Sequence, residues 1–143
     1  MAYQDPAPRG LNASPEEIAA IVRRYRTVAV VGLSADPKRP SYQVASYLQS
    51  QGYRIIPINP NCQEVLGEKC YASLPEVPEP VEVVDIFRQT EAIPGIVEEA
   101  IAVGAKVVWM QLGLEHPPAA ARARAAGLQV VMNRCLKIEH ANL

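Results

Sequence analysis

Hydrophobic and polar positions alternate along this chain in blocks, and the blocks predict elements. Ser14-Pro15-Glu16-Glu17 opens the first helix. Ser14 can cap, Pro15 suits the first helical position, and Glu17 completes a capping box. Ile18, Ile21 and Val22 share one face of this helix, which should run to about Tyr25. Residues 27–31 (TVAVV) form a short, almost wholly apolar run that ends at Gly32, the signature of a strand buried on both faces. A polar loop follows, and then a helix over about 41–51 with Val44 and Leu48 on one face and Gly52 as its stop. Residues 54–58 (RIIPI) are the second strand, where Pro57 implies a bulge or a place near the sheet edge. The proline-rich stretch 59–80 suits a loop with a short helical turn. Strands over 81–87, 106–110 and 128–132 then alternate with helices over 91–103 and 117–126.

Strands that alternate with crossover helices define an α/β domain. The expectation is a single Rossmann-like domain with a five-stranded parallel sheet, in the order 3-2-1-4-5, and helices on both faces. It should occupy residues 14–143, with 1–13 as a loose N-terminal arm. In such sheets ligands sit at the carboxyl ends of the strands, where the strand order reverses. The loops after Val31, Ile58, Phe87 and Met110 are therefore the places to look.

Composition narrows the function. With 14 basic and 15 acidic residues, a net charge of -1, the chain lacks the basic excess of a nucleic-acid binder. No apolar run approaches the roughly 20 residues of a membrane span. Residues 1–10 lack the charged and apolar regions of a signal peptide, which points to the cytoplasm. Cys62, Cys70 and Cys135 are an odd set without a CxxC pair and read as reduced thiols. His116 and His140 have no metal-ligand spacing, so no metal is expected.

The candidate chemistry collects in the predicted loops. In 32–41 (GLSADPKRPS), Gly32 permits a close turn, Ser34 and Ser41 offer hydroxyls, and Lys38 and Arg39 offer charge. The helix that follows directs free N–H groups into the same space, as a phosphate site requires. A solvated loop whose serines cap turns would use the same residues. The GxGxxG fingerprint is absent, because Ser34 and Pro37 stand in its place, and strand two ends in neutral Asn59-Pro60. Both features tell against a nicotinamide-nucleotide oxidoreductase. Phe87 could lie against an adenine and Arg88 could meet a phosphate bidentately, although, taken singly, core packing and an exposed loop are the commoner explanations. Gln111 could bond a ligand amide, and Gly113 could serve a turn. Cys135, beside Arg134 and Lys137, is either a nucleophile or simple packing.

The stretches 30–60 (VVGLSADPKRPSYQVASYLQSQGYRIIPINP), 66–88 (LGEKCYASLPEVPEPVEVVDIFR), 92–113 (AIPGIVEEAIAVGAKVVWMQLG) and 126–139 (AGLQVVMNRCLKIE) resemble the YccU-like CoA-binding domain proteins. They are also similar to the N-terminal CoA-binding domain of the succinyl-CoA synthetase α subunit. The resemblance covers about 15–140. It implies that coenzyme A or an acyl-CoA is the ligand, bound through its 3′-phospho-ADP part. Gly32, Ser34, Lys38, Arg39 and Ser41 match the phosphate loop, Asn59 and Pro60 the wall after strand two, and Phe87 and Arg88 the adenine side. Gln111 and Gly113 match the pantetheine path. Where the family pattern has an aspartate, this chain has Asn133. The resemblance implies no established reaction. The expectation is thus a non-catalytic binding module, with a protein partner or homo-oligomer possible. The alternatives are an acyl-CoA-handling transferase or ligase fragment that uses Cys135, and a nicotinamide-nucleotide enzyme.

Overall fold

The structure, a computed structural model, describes residues 12–143. Most of the arm expected over 1–13 lies outside the described residues. Asn12 is held to the far end of the chain: its amide exchanges two hydrogen bonds with the backbone of Met132, at 2.9 and 3.1 Å.

The chain forms a single α/β domain with a five-stranded parallel sheet flanked by helices on both faces. In chain order the elements are α1 (Pro15–Arg24), β1 (Thr27–Val31), α2 (Pro40–Ser50), β2 (Arg54–Ile58), a small hairpin of β3 (Glu64–Val65) and β4 (Glu68–Lys69), and β5 (Val83–Ile86). They continue with α3 (Ile93–Ala102), β6 (Val107–Met110), α4 (Pro117–Ala125), β7 (Gln129–Val131) and α5 (Leu136–Ala141). The capping box predicted at Ser14 is formed in both directions, Glu17 N to Ser14 Oγ and Ser14 N to Glu17 Oε1. The hairpin and the short α5 are elements that the periodicity did not predict.

The strand order needs one correction. The sheet runs β2-β1-β5-β6-β7, which in the five-strand numbering is 2-1-3-4-5; the third strand lies beside β1, not outside β2. Pro57 supplies the reason. Its carbonyl faces the outer edge of β2, where it accepts from Tyr71 N at 3.0 Å. Its missing N–H faces the same way, so no full strand can ladder there. A single bridge, Ile58 to Tyr71, covers that edge instead. The edge position that Pro57 implied for β2 is the one observed.

Alternation along the strands splits the core in two. Ala29, Val31, Ile56, Val84, Ile86, Val108 and Met110 meet α3 and α4 on one face. Val28, Val30, Ile55, Val83, Val107 and Trp109 meet α1, α2 and α5 on the other. The helix that follows β1 and the helix that follows β5 therefore leave the sheet on opposite faces. Between them a crevice opens at the carboxyl ends of β1 and β5, the switch point of this order.

Candidate functional site

The crevice is closed below by the contact of two loops. Gly32 N donates to Ile58 O and Phe87 N to Val31 O, both at 2.8 Å, so the strands stay paired up to the point where the loops diverge. Gly32 has φ +91° and packs so closely that a Cβ there would lie 2.4 Å from Phe87 O and 2.9 Å from Arg88 Cδ. The loop beyond it is organised by its own side chains. Ser34 N donates to Ser41 Oγ, Asp36 N to Ser34 Oγ and Lys38 N to Asp36 Oδ1, each at 3.0 Å. This leads the chain into α2, whose N-terminus carries Pro40 and has no side-chain cap.

Two hollows lie above this frame. A recess of about 170 Å³ is lined by Gly32, Ser34, Arg39, Pro40, Ser41 and Phe87. A cavity of about 740 Å³ shares Pro40 and Phe87 with it and continues to Val44, Arg88, Gln111, Leu114 and Cys135, among others. That volume falls in the range of small-molecule sites. Its wall is mostly apolar, with Arg88, Gln89 and Gln111 as polar exceptions.

The structure thus brings together Gly32, Ser34, Arg39, Ser41, Phe87, Arg88 and Gln111 around the paired hollows. It places the other expected residues elsewhere. Lys38 is exposed on the rim, outside both linings. Asn59 is a structural latch: Nδ2 donates to Leu33 O at 2.9 Å and Oδ1 accepts from Asn61 N at 2.8 Å. Pro60 is exposed beside it. Gly113 lines neither hollow; its N–H donates to Asn133 Oδ1 at 2.7 Å, and Asn133 itself holds φ +58°. Either Asn or Asp tolerates that conformation and could accept that bond.

Sequence reasoning missed Pro40, Val44, Gln89, Leu112 and Leu114 as wall residues. Apolar residues at strand and helix ends carry no signal that separates a cavity wall from the core. Cys135, which was open between packing and chemistry, precedes α5 and lines the cavity. Gln111 is held by its own oxygen, Oε1 accepting from Leu136 N at 3.2 Å, which ties β6 to α5.

Cys62 and Cys70 lie away from both hollows. Burial and the hydrogen-bonded Cys62 thiol push Cys70 up to about 12, so it is a neutral thiol. No helix among the described residues is long and apolar enough to cross a membrane.

A fold with an open switch point, a turn that admits only glycine and a ligand-sized apolar cavity defines an α/β domain with a candidate small-molecule site. The sequence profile of the CoA binding domain matches residues 26–141, and the chain belongs to this family. It is 42% identical over 130 residues to the uncharacterized protein YneT of Bacillus subtilis, covering 91% of this chain and 96% of that one. It is 30% identical to the α subunit of the ADP-forming acetate–CoA ligase II of Pyrococcus furiosus, covering 82% of this chain but only 29% of the ligase subunit. A hypothetical protein from Pyrococcus horikoshii superposes with a TM-score of 0.90 at 40% identity, covering 100% of this chain and 99% of that one.

Proposed function

We propose that this domain binds coenzyme A or an acyl-CoA through its 3′-phospho-ADP part at the carboxyl edge of the sheet, as a binding module without chemistry of its own. The observation that carries the reading is the junction of the two hollows. The small recess sits at the uncapped N-terminus of α2 between Ser34, Arg39 and Ser41, where phosphates find N–H groups, hydroxyls and a guanidinium. The apolar cavity opens from it past Phe87 and suits a long, weakly polar arm. A nucleotide joined to such an arm is the chemistry of CoA. The kinship with part of an acetate–CoA ligase subunit supports the same ligand.

Arg39 and Arg88 are the cations of the lining, and Lys38 adds charge at the rim. A charge-assisted hydrogen bond contributes about 1.5–3 kcal/mol, or roughly ten- to a hundredfold in affinity. Replacing Lys38 and Arg39 together by Ala should weaken CoA at least about tenfold. The unliganded melting temperature should barely move, because both side chains are exposed. Titration calorimetry of parent and double variant, with dephospho-CoA and NAD as competitors, tests it. Equal CoA affinity in the two proteins would remove the phosphate loop from the site.

A further inference from the structure

The face of the sheet under α1, α2 and α5 carries a buried group that the site as described leaves unused. Val83 and Phe87 belong to that face, and Val84 and Ile86 to the other. Alternation therefore places Asp85 between Val83 and Phe87 on the α2 and α5 side, one layer beneath the phenyl ring that lines the cavity. Its ladder neighbours are Val30 on β1 and Trp109 on β6. Val30 is apolar, and the indole N–H of Trp109 is already donated to Arg134 O at 2.8 Å. Asp85 is 0% exposed, and neither of its carboxyl oxygens has a hydrogen-bond partner. Burial alone raises its pKa well above the ordinary value, so the group carries its proton.

A buried carboxyl with no partner is costly and calls for a reason. Packing supplies none, since an apolar residue would fill the same space without the unmet polar atoms. Position does. Asp85 sits at the carboxyl end of a strand at the switch point, under the wall of a ligand-sized cavity whose side-chain donors, apart from it, are Arg88, Gln89 and Gln111. Val44, Leu112, Leu114 and Cys135 offer little for the polar groups of a ligand arm.

We propose that Asp85 is a ligand-binding residue of this cavity, whose carboxyl O–H donates to a carbonyl of the ligand's arm once the Phe87 side chain moves aside. The inference rests on the CoA reading. The class of acceptor is a carbonyl, either a pantetheine amide, present in CoA itself, or an acyl thioester, present only in acyl-CoA. Phe87 is half-buried at the mouth shared by the two hollows, so a change of its rotamer uncovers the layer below.

The test titrates 3′,5′-ADP, CoA and acetyl-CoA into the parent, Asp85→Val and Asp85→Asn. In Asp85→Val, acetyl-CoA affinity should fall about tenfold or more, the loss of one hydrogen bond to a buried group, while 3′,5′-ADP is unaffected. Asp85→Asn, which keeps a donor, should retain most of the affinity. A loss seen with acetyl-CoA but not with CoA assigns the bond to the thioester; an equal loss assigns it to an amide. Asp85→Val that binds CoA and acetyl-CoA as tightly as the parent overturns the proposal, and so does a uniform loss that includes 3′,5′-ADP. A measurement on the parent needs no variant to fold: in difference infrared spectra the C=O band of the protonated carboxyl should shift on adding acetyl-CoA and not on adding 3′,5′-ADP. An unmoved band overturns the proposal. A parent that binds neither CoA nor 3′,5′-ADP defeats the CoA reading itself and this inference with it.

Discussion

Gly32 has room for a hydrogen and nothing larger. Its φ of +91° already disfavours any side chain, and the nearest obstacle to a Cβ is a backbone oxygen that cannot turn away, Phe87 O at 2.4 Å. Gly32→Ala must therefore push the β1 and β5 loops apart. The expected cost is about 1–3 kcal/mol of stability, read by chemical denaturation, together with weaker CoA binding, because the displaced Phe87 and Arg88 are wall residues. A variant with parent stability would show that the loops yield freely. Asp85 makes a second prediction at this scale, and the sign follows from its raised pKa. Below the ordinary carboxylate value, 3.8, both folded and unfolded states hold the proton and the residue adds no pH dependence. As pH rises above that value the unfolded carboxyl ionises and the folded one does not, so stability is lost progressively up to the raised folded pKa. The melting advantage of Asp85→Asn over the parent should thus grow as pH rises from about 4 toward the raised folded pKa. A difference constant with pH would mean that Asp85 is ionised in the fold. Neither role was legible in the sequence. Gly32 was recognised as a turn, but its contact with Phe87 depends on which strand lies beside β1. Asp85 stands in the apolar run VVDIF, where a single carboxylate gives no sign of whether it is paired.

At the scale of elements the pattern of apolar runs was informative, and the junctions were less so. Five strands and the four longer helices follow from runs such as TVAVV and from stops at Gly52, Gly104 and Gly127. The order of the strands did not follow, although Pro57 bore on it: a strand placed between two neighbours donates on both edges, and Pro57 removes one donor from the outer edge of β2. The hairpin β3–β4 was hidden because each strand has only two residues and presents no period. It is fastened to β2 by Arg54, which pairs with Glu68 and Glu79. Glu79 is held below its ordinary pKa by the hydrogen bond from that guanidinium. The Arg54 side chain is 40% exposed, so solvent screens the network. Arg54→Ala should cost no more than about 1 kcal/mol in urea unfolding. A loss several times larger would mean that the hairpin is an integral part of the sheet edge.

For the molecule as a whole, basic and acidic residues nearly balance. Net charge is -1, so CoA binding should weaken as salt rises while the melting temperature without ligand stays nearly level. The site as an assembly was half legible. Among the residues that line the two hollows, Gly32, Ser34, Arg39, Ser41, Phe87, Arg88 and Gln111 could be singled out because they follow strands or carry polar or aromatic groups. Asn59, expected in the ligand wall, bonds Leu33 O and Asn61 N, since an amide at a strand end suits a latch as well as a contact. The apolar wall could not be read, since Val44 and Leu114 become cavity residues only when α2 and the loop after β6 stand apart over the sheet.

The cavity wall is assembled from places spread along almost the whole chain: Pro40, then Phe87, then Gln111, and last Cys135. Synthesis delivers them in that order. A nascent chain that has emerged as far as β5 already owns the glycine turn and the recess, yet the cavity still lacks the sides supplied by β6 and by the start of α5. If the cavity holds the ligand's arm as proposed, capture of the complete ligand waits until Cys135 has left the ribosome.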